Sequence, residues 1–408
     1  MPQTSTGRQH APHQLFFRTA EQRTALARQQ FFDEGARPSG LVGEAVIQSW
    51  LRCCKARQDP GERVSFEQVT RSRAHATLNR NRQLMQAGNH ELNHMEAALS
   101  GTDCRVLLTD AHGVIIHATE LTPTAGQPLL KTASRVGVNI AETHIGTTAP
   151  GIVVRSGEAC TVAGAEHFFQ CLQGLHCAAA PIHDIHGQLA GVLDISVEGG
   201  PFHFDAASVV GLYATTIENR LLQLQSVEHL VLHFQASPTL LDTPLEALAG
   251  IDASGRVLWL NAVARRLTGC TAQGQPMVED VFGATLGWLL GLPRQTSVQT
   301  LHLPHGLGVW IKGRLTAPDG ADFKHAVPVS RPTPQAAVQP QLQAAIPEAE
   351  SDNTASRSTL VDHSQRLIES TLAQCGGNIA KAARALGVSR GMLYRRLQKA
   401  RGQEGDAR

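Results

Sequence analysis

Apolar and polar residues alternate most regularly between residues 104 and 225. CRVLLTDAHGVIIHAT predicts two strands joined by a turn at 110–113, and CAAAPIHDIHGQLAGVLDIS repeats this plan with a turn at 183–187. A closing helix is predicted at 205–225. Its side chains expected to face the sheet are Val209, Leu212, Thr216 and Leu221 or Leu222. Strand pairs flanked by helices predict an α+β domain over 101–226, with helices on an antiparallel sheet and a ligand pocket between sheet and loops.

A smaller region repeats the strand pattern. LEALAGIDASGRVLWLNAVARRLTG predicts a strand, a turn at 252–255, a second strand and a helix beginning near Asn261, and VQTLHLP and GVWIKGR add strands. This pattern resembles a degenerate PAS domain and places it at 240–316. The resemblance implies a structural or dimerising role, because no residue in the region specifies a cofactor.

The pattern stops between residues 328 and 358. This stretch is rich in Pro, Ala, Gln and Ser and has no periodic apolar face, so we expect a disordered linker. Upstream, residues 1–100 are expected to form an N-terminal helical region. The chain is therefore predicted to be multidomain. The α+β and PAS-like domains precede the linker, and a separate all-α module follows it at 359–402.

The C-terminal module has the pattern of three short helices. Gly376 and Gly377 end the first, Asn378 can cap the second, and Ser389 can cap the third after a tight turn at Gly387. Residues 378–401 contain seven basic side chains and no acidic one. Two helices joined by a Gly-containing turn, the second with a basic outer face, are typical of a helix-turn-helix that enters the major groove of double-stranded DNA. The alternative is a basic helical hairpin with a solvated or dimerising face.

GGNIAKAARALGVSRGMLYRRLQKA resembles the DNA-binding domain of the Fis family over nearly its full length. The resemblance implies a dimer that binds two half-sites about one helical turn apart. The residues expected to contact DNA are Ser389, Arg390, Met392, Tyr394 and Arg395, with Lys381, Arg396 and Lys399 as further phosphate contacts.

Composition narrows the class of protein. The 408 residues carry a formal net charge of +1 and 42% hydrophobic side chains, as expected of a globular chain. No segment has the pattern of a signal peptide or a membrane span, so we expect a cytoplasmic protein without a membrane partner. The eight Cys residues contain no CxxC pair, which favours reduced thiols over disulfides or structural zinc.

Four stretches of the first half resemble the acetoin-catabolism regulators, or AcoR-like activators, which carry a GAF sensor domain. They are IQSWLRCCKARQDP, ETHIGTTAPG, GAEHF and GLHCAAAPIHDIHGQLAGVLDIS. The resemblance implies a small-molecule effector of unknown identity and no cofactor. Candidate ligand-binding residues are His144, Thr148, Glu166, His167 and Cys177.

The cluster of Cys and His residues between 160 and 186 also permits two other interpretations. A Cys/His nucleophile or a bound metal would need these residue types. Their spacings match no ligand rule and no third group orients a base, so we expect no catalytic residues and no metal, and hence not an enzyme.

AcoR-like activators normally place a sigma-54-interacting AAA+ ATPase between sensor and tail. That domain needs a GxxxxGK[ST] loop, and the sequence contains no Gly-Lys dipeptide. We therefore predict a sequence-specific transcriptional regulator, a ligand-modulated homodimer acting on an inverted repeat without its own ATPase. The protein partner expected for this regulator is RNA polymerase or a full-length sigma-54 activator. The alternative is a signal-sensing interaction module that modulates such an activator, or an architectural DNA-binding protein.

Overall fold

The computed structural model describes residues 19–119, 126–270, 274–295 and 297–315, together with Thr371 and residues 378–385. The chain divides into two compact units, Met1–Gln225 and Ser226–Arg408. Each contains one five-stranded sheet within the described residues.

The first unit begins with helices and continues into the sheet. Its α-helices are α1 Ala20–Arg28, α2 Glu44–Lys55, α3 Arg71–Arg80, α4 Arg82–Leu99, α5 Pro128–Ala133, α6 Glu142–Ile145, α7 Ala149–Ser156 and α8 Ala206–Gln225. A π-helical turn covers Gln29–Asp33, and 3₁₀ turns cover Gly164–Glu166 and Gln170–Leu172. Its strands are β1 Arg105–Asp110, β2 Ile115–Ala118, β3 Cys160–Ala163, β4 Leu175–His183 and β5 Leu189–Glu198.

The strand order of this sheet is β2-β1-β5-β4-β3, and every pair is antiparallel. Both predicted hairpins are confirmed, and an aspartate side chain closes the turn of each. One carboxylate oxygen of Asp110 accepts from His112 N and Val114 N, both at 2.9 Å, and Asp184 does the same for His186 N and Gln188 N at 2.9 Å. The Asp-x-x-Gly spacing therefore marks these turns directly.

The sheet separates two apolar cores. Helices α4 and α8 cover one face, where Val106, Leu108, Leu193 and Ile195 are buried together. The opposite face packs against α7 and the preceding helices, with Leu107 and Val192 in its core. The alternation along β1 and β5 assigns successive side chains to different cores.

One expectation about this unit needs correction. The predicted inward face of α8 is wrong at Leu212, which is 48% exposed, whereas Leu221 and Leu222 are buried as predicted and Val210, Ala214 and Ile217 are buried as well. The helix is apolar on most of its surface, so periodicity alone does not fix its rotation. In the region 1–100 the structure describes helices α1 to α4, and Val46 and Trp50 of α2 belong to the same core as the sheet.

The second unit has the strand order β8-β7-β6-β10-β9. Its strands are β6 Leu230–Gln235, β7 Ala247–Ile251, β8 Val257–Leu260, β9 Gln299–His302 and β10 Gly308–Leu315. Its helices are α9 Ala262–Thr268, α10 Val278–Phe282 and α11 Leu286–Leu289, with 3₁₀ turns at Pro238–Leu240 and Leu292–Arg294.

The predicted strands of this unit and the helix predicted to begin near Asn261 are confirmed. Asn261 caps that helix, since its Oδ1 accepts from Ala264 N at 2.8 Å. The expected boundary at 240 is too late, because the central strand β6 begins at Leu230. A third Asp-x-x-Gly turn joins β7 to β8, where Asp252 accepts from Ser254 N and Arg256 N.

In the C-terminal module the structure describes the helix α12, Ile379–Ala385. The carboxamide oxygen of Asn378 accepts from Lys381 N at 3.1 Å, so the predicted cap is confirmed. Ala382 and Ala383 are buried. In the parts of the chain that the structure describes, no helix has the length and apolar character needed to cross a bilayer.

Candidate functional site

Four polar side chains form a continuous chain inside the second apolar core of the first unit. His167 Nε2 lies 3.6 Å from Cys177 Sγ on β4, and Cys177 Sγ lies 3.1 Å from Ser196 Oγ on β5. The Ser196 hydroxyl donates to Asp194 Oδ2 at 2.7 Å. Each of the four residues is at most 3% exposed. Buried polar groups of this kind cost stability unless they are paired, so such a chain indicates a functional site.

Asp194 is the last residue of this series of polar side chains, and it lies in the middle of the sheet. It is fully buried, and its register partners on either side are Leu107 of β1 and Ala179 of β4. Among the described residues, no group forms a hydrogen bond with its second oxygen, Oδ1. Burial raises the pKa of this carboxyl to about 7, and the Ser196 hydroxyl offsets part of that rise. Asp194 is therefore a carboxyl poised between its acid and its ionised form near neutral pH.

His167 and Cys177 are held neutral by their surroundings. His167 Nδ1 donates to Gly164 O at 2.9 Å, which leaves Nε2 as the acceptor that faces Cys177. Burial lowers the pKa of His167 to about 4 and raises the pKa of the Cys177 thiol. Nucleophilic catalysis needs a thiolate, so this pair has the geometry of a Cys–His dyad without its electrostatics.

Backbone conformations available to glycine shape the loops that hold these side chains. Gly164 has a φ of +52° directly before the turn that delivers His167. Gly146 has a φ of +66°, and a Cβ there would lie 2.7 Å from the Phe169 ring. Thr148 caps α7 by accepting from Gly151 N at 3.2 Å. Helix α7 packs against β4, the strand that carries Cys177.

The N-terminal helices fix the loop that carries His167. The Arg28 guanidinium donates to three carbonyl groups of that loop, at 3.1 Å to Ala165 O, 2.8 Å to His167 O and 3.3 Å to Phe168 O. Trp50 Nε1 donates to Glu166 O at 2.8 Å. The Trp50 ring also packs against Phe31 and Phe32. The chain before the sheet therefore covers this face of the core.

A second anchor joins α2 to the segment that leads into α7. Arg52 donates to both oxygens of the Glu142 carboxylate at 2.6 and 2.7 Å. Ser49 Oγ donates to Glu142 Oε2 at 2.6 Å and lies 2.7 Å from Thr147 Oγ1. A bidentate pair with further hydrogen bonds fixes geometry more firmly than a single exposed ion pair. This anchor, Arg52–Glu142 with Ser49 and Thr147, holds the helical cover in place.

The structure brings together two of the five predicted ligand residues, His167 and Cys177. Thr148 is buried and caps α7, which packs against β4. Glu166 is used differently, since its carboxylate accepts from Ala163 N at 2.8 Å in the 3₁₀ turn. His144 is exposed and contacts Thr143. Asp194 and Ser196 were not among the predicted residues, although the aspartate in the apolar run GVLDIS was a visible signal.

Of the residues expected to contact DNA, Lys381 is described and is exposed on α12. Ser389, Arg390, Met392, Tyr394, Arg395, Arg396 and Lys399 lie outside the described residues. Their role stays a prediction from the sequence.

Two other clusters place imidazole and carboxylate groups within 4.8 Å of one another. They are His90, Glu91 and His94 on α4, and His233, Asp242 and Glu246 in the second unit. In each a carboxylate already pairs with a cation, Arg220 with Glu91 and Lys312 with Asp242. Neither cluster includes the Cys and His residues that the sequence analysis weighed.

Two segments of the chain match known protein families. Residues 19–209 match the MimR N-terminal domain, and residues 359–399 match the bacterial regulatory protein, Fis family. The buried polar chain therefore lies within the MimR-type domain, and the basic helices lie within the Fis-family segment. The predicted resemblances to AcoR-like regulators and to the Fis family are confirmed.

Similar proteins are transcriptional regulators rather than enzymes. The acetoin catabolism regulatory protein of Cupriavidus necator is 31% identical over 60% of this chain and 39% of its own length. The propane 2-monooxygenase operon transcriptional activator MimR of Mycolicibacterium smegmatis is 28% identical over 48% of this chain and 32% of its own. This chain thus spans less than half of either relative.

Among solved structures, the E. coli DhaR(N)–DhaL complex contains a chain that matches 66% of this one. The match covers 99% of that chain, with 17% identity and a TM-score of 0.42.

Proposed function

We propose that this chain, which joins a MimR N-terminal domain to a Fis-family segment, is an effector-responsive transcriptional regulator that binds DNA. The observation that carries the proposal is the buried polar chain from His167 to Asp194 inside the MimR-type domain. A sensor needs polar groups that an effector can engage in an otherwise apolar, closed interior. The relatives named for acetoin catabolism and for a propane 2-monooxygenase operon make a small organic effector the best candidate.

The proposed DNA-binding element is the Fis-family segment, at 359–402 behind a linker at 328–358. Arg390 and Arg395 lie on its third predicted helix and supply charge for phosphates and donors for base edges. Lys381 on α12 is exposed and has no acidic residue within the basic stretch to neutralise it. A homodimer would present two such helices to an inverted repeat in double-stranded DNA.

The sensor half of the proposal includes a GAF-like domain at 101–226 and a PAS-like domain beginning near residue 230. The PAS-like domain is assigned a structural or dimerising role. Effector binding would shift the dimer between states that differ in DNA affinity.

The proposed output is DNA occupancy. ATP-driven promoter opening needs a P-loop, and the 408 residues contain no Gly-Lys dipeptide. Occupancy can block RNA polymerase, contact it, or compete with a full-length sigma-54 activator for the same sites. The position of bound sites relative to promoters distinguishes these outcomes.

The test is a genome-wide map of DNA binding in cells, with the full chain and with Arg390→Ala/Arg395→Ala. We expect sharp peaks over an inverted repeat that disappear in the double variant. Arg63→Ala/Arg155→Ala removes the same charge from exposed positions of the first unit and should leave the peaks unchanged.

Two outcomes would contradict the proposal. Peaks that survive in the Arg390/Arg395 variant would show that the third helix is not the DNA-binding element. Diffuse occupancy with a steep salt dependence would instead support an architectural protein or an interaction module.

A further inference from the structure

Helix α4 carries two exposed histidines one turn apart. Residues 90–94 read His-Glu-Leu-Asn-His, and the spacing of four places His90 and His94 on the same face of the helix. Both residues are exposed, and their ring centroids lie 4.1 Å apart. Two imidazoles on one helix face can supply nitrogen ligands to a single Zn²⁺ or a similar transition-metal ion.

The carboxylate of Glu91 orients one of these rings. Glu91 Oε1 accepts from His90 Nδ1 at 3.0 Å, which leaves His90 Nε2 as the ring nitrogen with a free lone pair. Arg220 Nη2 of α8 lies 2.7 Å from the same oxygen, and Glu91 is only 7% exposed. Metal-binding histidines commonly donate their second ring N–H to a carboxylate that is itself held in place. The three side chains therefore have the arrangement of an oriented metal ligand and its support.

The arrangement favours binding of an ion over catalysis. In zinc peptidases the glutamate of a His-Glu-x-x-His helix acts as the general base. Here the Glu91 carboxylate is buried and already accepts from both His90 and Arg220, so it is committed to holding a ligand in position. The two imidazoles are exposed, so an ion can reach them from solvent.

We propose that His90 and His94 bind one divalent transition-metal ion, with Zn²⁺ as the test ion, through His90 Nε2 and a ring nitrogen of His94. Glu91 is the positioning residue, and water completes the coordination. Helix α4 covers the face of the sheet opposite to the buried polar chain, so the ion site is separate from the proposed effector site. The ion would link two successive turns of α4.

The first test is a calorimetric titration of the full chain with ZnCl₂. The unaltered protein should bind one zinc ion more per chain than His90→Ala/His94→Ala, because each substitution removes a ligand. His75→Ala/His112→Ala removes two exposed imidazoles from the same unit and should retain the full zinc stoichiometry. MgCl₂ should not distinguish the three proteins, because Mg²⁺ prefers oxygen ligands.

A second measurement locates the ion and tests Glu91. Diethyl pyrocarbonate modifies free imidazole nitrogens, and peptide mass spectrometry follows the modification at each histidine of the full chain. Zinc should protect His90 and His94 and leave His75 reactive. In Glu91→Gln the zinc concentration for half-protection should rise about tenfold or more, as expected for loss of an orienting carboxylate. Circular dichroism without zinc verifies that each variant is folded.

Three results would overturn the inference. They are equal zinc stoichiometry in the unaltered protein and in His90→Ala/His94→Ala, modification of His90 and His94 that zinc does not change, and equal protection of both by magnesium. An unchanged half-protection concentration in folded Glu91→Gln would refute the positioning role of Glu91.

Discussion

The two faces of the first sheet come from the same strands but differ in kind. Along β5, Leu193 and Ile195 enter the apolar cluster under α4 and α8, whereas Asp194 and Ser196 enter the opposite core and join the series of polar side chains there. All four residues are at most 3% exposed, so burial alone does not distinguish the faces. One face of the sheet therefore contributes stability through apolar packing. On the other face, buried polar groups reduce stability.

The largest effect expected from this comparison is on stability. Leu193→Ala should lower the free energy of unfolding by about 2–5 kcal/mol, because it leaves a cavity in the apolar core. At pH 7, Asp194→Leu should change it by less than about 1 kcal/mol, or raise it, because the substitution removes a buried unpaired acceptor. Chemical denaturation of the full chain, monitored for the first unit, measures both. Equal losses in the two variants would show that the faces do not differ as described.

A smaller effect is expected on the pH dependence of stability. The pKa of Asp194 is raised to about 7, so the folded state holds a proton that the unfolded state has lost, and this stabilisation falls as pH rises from about 4 to about 7. The pKa of His167 is lowered to about 4, which gives the opposite slope between about 4 and about 6.5. The two slopes nearly cancel in the unaltered protein.

Asp194→Leu removes one of these opposing slopes. The free energy of unfolding of that variant, relative to the unaltered protein, should rise between pH 4.5 and 6.5 by up to about 1.4 kcal/mol per pH unit. Urea denaturation at three pH values in this window measures the difference. A difference that stays constant with pH would show that Asp194 titrates normally.

The smallest expected effect concerns the helical cover on the polar face. Arg52→Ala breaks a bidentate pair in which Arg52 is 33% and Glu142 is 11% exposed, so the loss should be about 1 kcal/mol. Arg37→Ala, at a pair with both side chains more than half exposed, should cost less than about 0.5 kcal/mol. Proteolysis rates across residues 34–43 should rise in the Arg52 variant only. A faster rate in both variants would argue against a specific anchor.

Local sequence rules predicted the parts of the fold that depend on neighbours in the chain. The Asp-x-x-Gly turns after Asp110 and Asp184, and the Asn261 and Asn378 caps, were predictable because each is closed by hydrogen bonds within four residues.

The candidate site was less predictable, because it depends on contacts between distant segments. Cys177, Ser196 and His167 meet only after β4 and β5 pair, and Arg28 reaches the His167 loop across 139 residues of chain. A single aspartate in an apolar strand was the one local sign of the site. The rotation of α8 was missed for a related reason, since packing rather than pattern determines it.

The measurement that tests the central claim most directly is a titration of the inverted-repeat DNA with the full chain, with and without acetoin. Fluorescence anisotropy would follow binding by the unaltered protein and by Asp194→Leu. We predict that acetoin changes the concentration of protein needed for half-saturation in the unaltered protein and has no effect in the variant, while both bind DNA specifically. An equal response of the two proteins, or no response of either, would contradict the assignment of the polar face as the sensor.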